Sequence, residues 1–210
     1  MNTISGLIRL CVSLTVSFLC LFCWPNFLNA SPQEAVFAGG CFWCLEHDLE
    51  SLAGVSSVDS GYTGGDLTAP TYASHKGHQE AVKVYFDSEK ISYPKLLRSY
   101  WRNIDALDGG GQFCDRGDSY RPVIFTIDES QHSQAIKSFE DAANELDEPI
   151  ENIEVVLKEA KTFWIAEEYH QNFAERNSLK YNFYRYSCGR DRRLDELWGE
   201  RARKYMEWGG

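Results

Sequence analysis

Apolar and polar positions change period several times along the chain, and each change marks an element. Ala35-Val36-Phe37-Ala38 is a short continuous apolar run, followed by Gly39-Gly40 and then Phe42, Leu45, Leu49 and Leu52 at steps of three, four and three. Run, glycines and amphipathic segment predict a strand, a tight turn and a helix. Gly54 to Val58 predicts a second strand leading into Gly61-Tyr62-Thr63-Gly64-Gly65, whose glycines predict a loop that continues from Asp66 to Gly77. From His78 to Asp87 the pattern alternates: Glu80, Val82, Val84 and Phe86 share one face, and Ala81, Lys83 and Tyr85 the other. Ser92-Tyr93-Pro94 opens a helix with Leu96, Leu97, Tyr100 and Trp101 on its apolar side. A second long loop, Asp108 to Arg121, is rich in polar groups and poor in packing; it precedes a strand from Pro122 to Ile127. A helix from Ser130 to about Glu145 and a strand from Ile153 to Leu157 follow. The stretch Phe163 to Phe173 predicts the start of another helix, the chain onward to Cys188 has weak periodicity, and Leu194, Leu197 and Trp198 predict a closing helix. Strands and helices alternate only loosely, which predicts an α+β fold rather than a doubly wound sheet.

The first thirty residues differ in kind. Arg9 is their only charge, Leu10 to Leu21 is almost continuously apolar, Trp24-Pro25 breaks the run, and Leu28-Asn29-Ala30 ends on a small residue. This is the pattern of a signal peptide over 1–30, with Ser31 as the mature start and an exported protein as the consequence. An uncleaved membrane anchor is the alternative. Residues 31–210 then form one domain, of which 174–210 is a C-terminal extension. The net charge of −10 argues against nucleic-acid binding, because phosphate contacts require clustered Lys and Arg.

Charge and length do not point to a reaction; the cysteines do. Three of seven lie in the leader, leaving Cys41, Cys44, Cys114 and Cys188. A cysteine at the first turn of a helix meets unpaired N–H groups and the positive end of the helix dipole, which favour thiolate. Cys41 is therefore a candidate nucleophile. Trp43 lies about 100° around the helix from Phe42, off the apolar stripe, so it either walls a pocket or packs on a neighbouring loop. Glu80, on the apolar face of its strand, is either a desolvated carboxyl with a raised pKa or a solvated residue ahead of regular pairing. Glu46 sits in the first turn of the helix and reads as a structural charge that favours the dipole. Tyr62 and Tyr72 have no periodicity that assigns them to a core. Three readings compete: a thioredoxin-like dithiol enzyme, a zinc module built from Cys41, Cys44, His78 and Cys188, and two inert disulfides.

Taken in order, Gly40-Cys41-Phe42-Trp43 with Glu46, Gly61-Tyr62-Thr63-Gly64-Gly65, Pro70-Thr71-Tyr72, Gly77-His78-x-Glu80-Ala81-Val82, Asp115 with Tyr120-Arg121, and Glu168-Tyr169-His170-Gln171 resemble the A-type peptide methionine sulfoxide reductases. The resemblance runs from about Val36 to Phe173. It implies a two-layer α+β sandwich with helices on a mixed sheet around a ferredoxin-like core. It also implies reduction of methionine S-sulfoxide, free or in oxidised proteins, by a monomer without a bound cofactor or metal. In this scheme Cys41 attacks sulfur and becomes a sulfenic acid. Phe42 and Trp43 wall the methyl pocket, Glu80 is the acid, Tyr72 and Tyr120 bond the sulfoxide oxygen, and Asp115 is a further carboxylate of the site. A second cysteine then resolves the sulfenic acid, with Cys188 the first candidate, Cys44 the second and Cys114 the third. A thioredoxin-like dithiol closes the cycle.

Overall fold

The computed structural model describes residues 33–204; the expected leader, 1–30, lies outside the described residues. The elements in chain order are β1 (Gln33–Ala38), α1 (Phe42–Glu50), β2 (Val55–Thr63), β3 (Gln79–Phe86), α2 (Tyr93–Trp101), β4 (Gly111–Gln112), β5 (Asp115–Arg116) and β6 (Val123–Thr126). They continue with α3 (Glu129–Leu146), β7 (Val156–Glu159), β8 (Trp164–Ile165), α4 (Phe173–Arg176), α5 (Ser178–Ser187) and α6 (Arg190–Trp198). Six strands form one sheet in the order β7-β6-β1-β3-β2-β8. The β6–β7 pair is parallel and the others antiparallel, so the sheet is mixed, as expected.

The period of two along the strands sorts the core. Ala35, Phe37, Val82, Val84 and Phe86 pack with Leu45 and Leu49 of α1 and Leu96 and Leu97 of α2 in one buried cluster. The interleaved Val36, Ala38, Ala81, Val123 and Phe125 form a second cluster on the opposite face, against Val156 and Phe163. Glu80 belongs by register to the first face, so β3 aims it at the start of α1. Between β1 and α1, Gly40 takes a φ of +82°, and a Cβ there would stand 2.7 Å from the Gln112 side chain. Only glycine makes that turn without strain.

Several boundaries depart from the sequence pattern for identifiable reasons. Gly61-Tyr62-Thr63 is strand, not loop: Gly61 pairs with Ile165 and Tyr62 with Trp164. The glycine is required because a Cβ would collide with the Trp164 carbonyl and the Phe163 ring. Tyr62, unassigned by periodicity, is fully buried. The same pairing corrects the helix expected over Phe163 to Phe173. Trp164 and Ile165 are strand, a turn follows, and helix begins only at Phe173 after Asn172 in the left-handed region (φ 52°). Gln171 holds the turn by accepting from the Ser60 N–H (2.9 Å) and donating to the carbonyls of Ser60 (3.0 Å) and Ala166 (2.9 Å). The seventh strand begins at Val156, not Ile153, because Ile150–Asn152 forms a 3₁₀ turn ahead of it. The second loop is better packed than its composition suggests: Gln112 is fully buried and bonds both the N–H and the carbonyl of Asp105 at 2.8 Å. Finally, α5 was masked by large apolar residues on two sides, Tyr181 inward and Leu179, Phe183 and Tyr186 outward.

Candidate active site

The site is assembled at the N-terminus of α1. Cys41 is the cap residue, outside the helical region (φ −54°, ψ 122°), and its side chain makes no capping bond. The first helical N–H, that of Phe42, instead donates to Glu80 Oε2 at 3.2 Å. Glu80 is 2% exposed, so the solvated alternative for it is excluded. Burial pushes its carboxyl up to about 8, opposed in part by the Phe42 N–H and reinforced by the negative field of Asp115. Near neutral pH this carboxyl carries a proton.

Around it stand two phenols and a second carboxyl. Tyr120 and Tyr72 line the same cavity as Glu80, so both hydroxyl-bearing rings stand beside the buried carboxyl. The Tyr120 carbonyl accepts from the Gly40 N–H at 3.1 Å, which ties this loop to the turn before Cys41. Tyr72 is fixed from behind, its backbone N–H donating to Glu167 Oε1 at 2.9 Å, while Glu167 Oε2 accepts from the Tyr62 hydroxyl at 2.9 Å. Asp115 accepts from the Tyr184 hydroxyl at 2.5 Å; burial raises its pKa, and Tyr184, Arg190 and the Cys41 backbone pull it back.

Trp43 satisfies both alternatives set for it. Its ring stacks on Phe173 at 3.7 Å and its Nε1–H donates to His170 Nδ1 at 3.1 Å, yet its other side faces the cavity. His170 is buried and its pKa is lowered by desolvation, so it stays neutral and can accept that bond on Nδ1. Cys41, Phe42, Trp43, Tyr72, Glu80, Asp115 and Tyr120 line one small cavity of about 60 Å³. All of the expected nucleophile, acid, phenol and pocket residues thus come together. The space is far below the few hundred Å³ that hold a whole small ligand, and it suits the end of one side chain.

An eighth lining residue, Tyr184, was not foreseen. The weak periodicity before Cys188 hid the helix that carries it. Glu167 and His170, which position Tyr72 and Trp43, also had no assigned role. Glu46 requires correction. It lies beyond the first turn of α1, is 1% exposed, and accepts from the Asn172 N–H at 3.0 Å, so it braces the turn before α4 and does not serve the helix dipole. Burial raises its pKa to about 7.

The cysteines divide into two pairs. Cys114 and Cys188 form a disulfide, while Cys41 and Cys44 are free and buried. Cys114 is exposed and Cys188 half-buried. The ligand atoms of Cys114, Asp115 and Cys188 lie within 4.8 Å of one another, which places Cys188 beside a carboxylate that lines the cavity. The dipole at the helix start does not by itself ionise Cys41. Burial, Cys44 and Glu80 raise its pKa, whereas Cys41 beside it, with Arg190 and Arg185, lowers that of Cys44. Of the two sulfurs, Cys44 therefore holds its proton the less tightly. The zinc quartet is not assembled among the described residues. His78 spends its ring nitrogens on the Gly65 N–H (3.3 Å) and the Leu67 carbonyl (2.8 Å), and Cys188 is bound to Cys114.

Comparison with known proteins agrees with this geometry. The family model "Peptide methionine sulfoxide reductase" matches residues 33–202. A peptide methionine sulfoxide reductase MsrA 2 of Caulobacter vibrioides is 50% identical over 179 residues, covering 83% of this chain and 90% of the relative. The solved methionine sulfoxide reductase A of Corynebacterium diphtheriae shares the fold with a TM-score of 0.66 at 24% identity, over 71% of this chain and 77% of that one. Mxr1 of Saccharomyces cerevisiae, solved in complex with Trx2, superposes with a TM-score of 0.51 at 20% identity, over 70% of this chain and 87% of that one. With the sequence matched over nearly the whole described region and a thiol, a protonated carboxyl and two phenols meeting in one small cavity, the chain belongs to the peptide methionine sulfoxide reductase family.

Proposed function

We propose that this protein reduces the S epimer of methionine sulfoxide, free or in oxidised proteins, with Cys41 as nucleophile. The observation that carries this reading is Glu80: a carboxyl protonated to about pH 8, bonded to the first N–H of the helix that presents Cys41. A sulfoxide oxygen leaves sulfur only when protonated, so the chemistry requires a neutral acid beside a thiol that can ionise. Cys41 attacks the sulfoxide sulfur as a thiolate, and Glu80 protonates the oxygen. Tyr72 and Tyr120 donate to that oxygen as its charge grows, while Phe42 and Trp43 hold the methyl group. Oxygen moves to Cys41, giving methionine and a cysteine sulfenic acid.

A second thiol then displaces the hydroxyl as water and leaves a disulfide. Cys188, next to Asp115 at the cavity, suits this step, and the Cys114–Cys188 bond is the product expected when Cys114 in turn releases Cys41. This reading moves Cys114 from resolving candidate to recycling partner. Cys44 remains the second candidate, because it is free and stands one turn along from Cys41, its backbone N–H donating to the Cys41 carbonyl at 3.1 Å. A thioredoxin-like dithiol reduces the final disulfide; the solved complex of Mxr1 with Trx2 supports a partner of this type. We further propose that the protein is exported by its N-terminal segment and acts as a monomer.

The test is an epimer-resolved assay on a methionine sulfoxide peptide. Cys41→Ser should abolish reduction, and comparable rates on both epimers would sink the assignment. Cys188→Ser should stop thioredoxin-driven turnover while sparing a single turnover; if Cys44→Ser does this instead, Cys44 is the resolving residue.

A further inference from the structure

Helix α5 carries an apolar face that is exposed among the described residues. Leu179 is 87% exposed, Phe183 73% and Tyr186 86%, at steps of four and three, so they form one stripe on the side away from buried Tyr181. Three large apolar residues in contiguous exposure are unusual on a protein surface and mark an interaction site. Two residues after Tyr186 comes Cys188, whose disulfide partner Cys114 is exposed. Tyr186 and Gly189 also line an open cleft of about 830 Å³ between α5 and α6.

We propose that this face of α5 is the docking surface for the dithiol reductant, and that the reductant's thiolate attacks Cys114. The proposal rests on the recycling reading given above. Thiol–disulfide exchange requires the attacking sulfur to touch the disulfide, so the partner's surface must cover its surroundings. An interface of standard size buries about 800 Å² per partner, equivalent to a disc of roughly 16 Å radius. Leu179 lies nine residues before Cys188, about 14 Å along a helix, so the whole stripe falls inside that footprint. The free pair Cys41 and Cys44 is buried, whereas Cys114 of the disulfide is exposed.

The direction of attack follows from exposure and from the leaving group. Cys114 is the accessible sulfur, and Cys188 Sγ accepts from the Cys114 backbone N–H at 3.1 Å. Attack on Cys114 forms a mixed disulfide with the reductant and expels Cys188 as a thiolate that this N–H stabilises. The reductant's second thiol then displaces Cys114. Two electrons and two protons pass to the pair, and the reductant leaves as a disulfide.

The experiment uses the full chain with bacterial thioredoxin, thioredoxin reductase and NADPH. Release of the Cys114–Cys188 thiols is followed directly, so failure to reduce methionine sulfoxide would not obscure the result. Leu179→Ser/Phe183→Ser should raise the KM for thioredoxin about tenfold or more while leaving reduction by dithiothreitol unchanged. Thioredoxin lacking its second cysteine should be trapped on Cys114, as read by mass spectrometry. An unchanged KM for thioredoxin, or trapping on Cys188, overturns the corresponding half of the proposal. Two other occupants give distinct results that also overturn it. A second copy of the chain would be lost from sedimentation profiles of the variant with thioredoxin kinetics intact. The segment 205–210 as cover would make its removal accelerate reduction while the stripe substitutions do nothing.

Discussion

At the residue scale, the site sets two opposite proton affinities side by side. Glu80 is held neutral by burial, while at the start of the helix Cys44 is shifted toward the thiolate and Cys41 away from it. The same burial has a thermodynamic consequence. Glu80 binds its proton more tightly folded than unfolded, from an ordinary 4.5 to about 8, so the folded state holds the extra proton across that window and stability falls as pH rises through it. Glu46, raised to about 7, acts with the same sign over a narrower window. At about 1.4 kcal/mol per unit, the Glu80 contribution reaches a few kcal/mol above pH 8. Glu80→Gln should therefore lower kcat by roughly 10²–10⁴-fold. It should also raise Tm relative to the parent at pH 9 and leave Tm unchanged at pH 5. Equal Tm differences at both values would show that Glu80 does not carry a buried proton. The activity of the parent should decline above about pH 8 as this proton is lost. Strand alternation put Glu80 on the apolar face of β3 but left it either desolvated or solvated; its role as acid was legible only through the resemblance. The role of Glu46 was not, since its partner Asn172 lies 126 positions away and helix position alone suggested a local one.

At the scale of elements, what the sequence showed well were segments with one clean period and local partners: β1, α1, β3 and α2. Segments whose conformation depends on a distant edge were misread. β8 exists because β2 offers an unpaired edge at Gly61 and Tyr62, and no local pattern in Phe163 to Phe173 announces that. α5 was illegible for another reason: an amphipathic helix is recognised by a polar outer face, and this one is apolar on the outside as well. That helix brings Tyr184 to Asp115. Loss of a hydrogen bond to a charged group removes about 1.5–3 kcal/mol of interaction. Tyr184→Phe should free the Asp115 carboxyl, raise its pKa further, and cut kcat/KM about tenfold or more with Tm lowered by only a few degrees. If kcat/KM is unchanged, Tyr184 only fills space in the cavity wall.

At the scale of the whole molecule, the C-terminal helices are joined to the catalytic end by two buried arginines and one disulfide. Arg185 Nη1 donates to both Asp48 oxygens (2.8 and 3.0 Å) and to the Tyr181 hydroxyl (2.8 Å), tying α5 to α1. Arg190 Nη2 donates to the Asn103 carbonyl at 2.6 Å, and its guanidinium lies 4.4 Å from the centre of the Phe113 ring, next to Cys114. Leu194 and Trp198 of α6 belong to the main core cluster. A relay that opens the Cys114–Cys188 bond once per turnover can work only if these other contacts keep the helices in place meanwhile. Mobility is then confined to the junctions beside the two sulfurs, where Phe113 and Gly189 both take left-handed backbone angles (φ 55° and 70°). Closing a loop of sequence separation 74 stabilises the folded state by about 2–4 kcal/mol, mainly through the unfolded chain. Cys114→Ser/Cys188→Ser should accordingly lower the unfolding free energy by that amount in urea while leaving far-ultraviolet circular dichroism and the hydrogen-exchange protection of α6 intact. Arg185→Gln should do the reverse, stripping protection from α5 with the disulfide still closed, because it leaves the half-buried Asp48 only the longer contact to Arg190 at 4.0 Å. If opening the disulfide alone unfolds α5 and α6, the bond is a structural staple and cannot be the redox link between Cys41 and an external reductant.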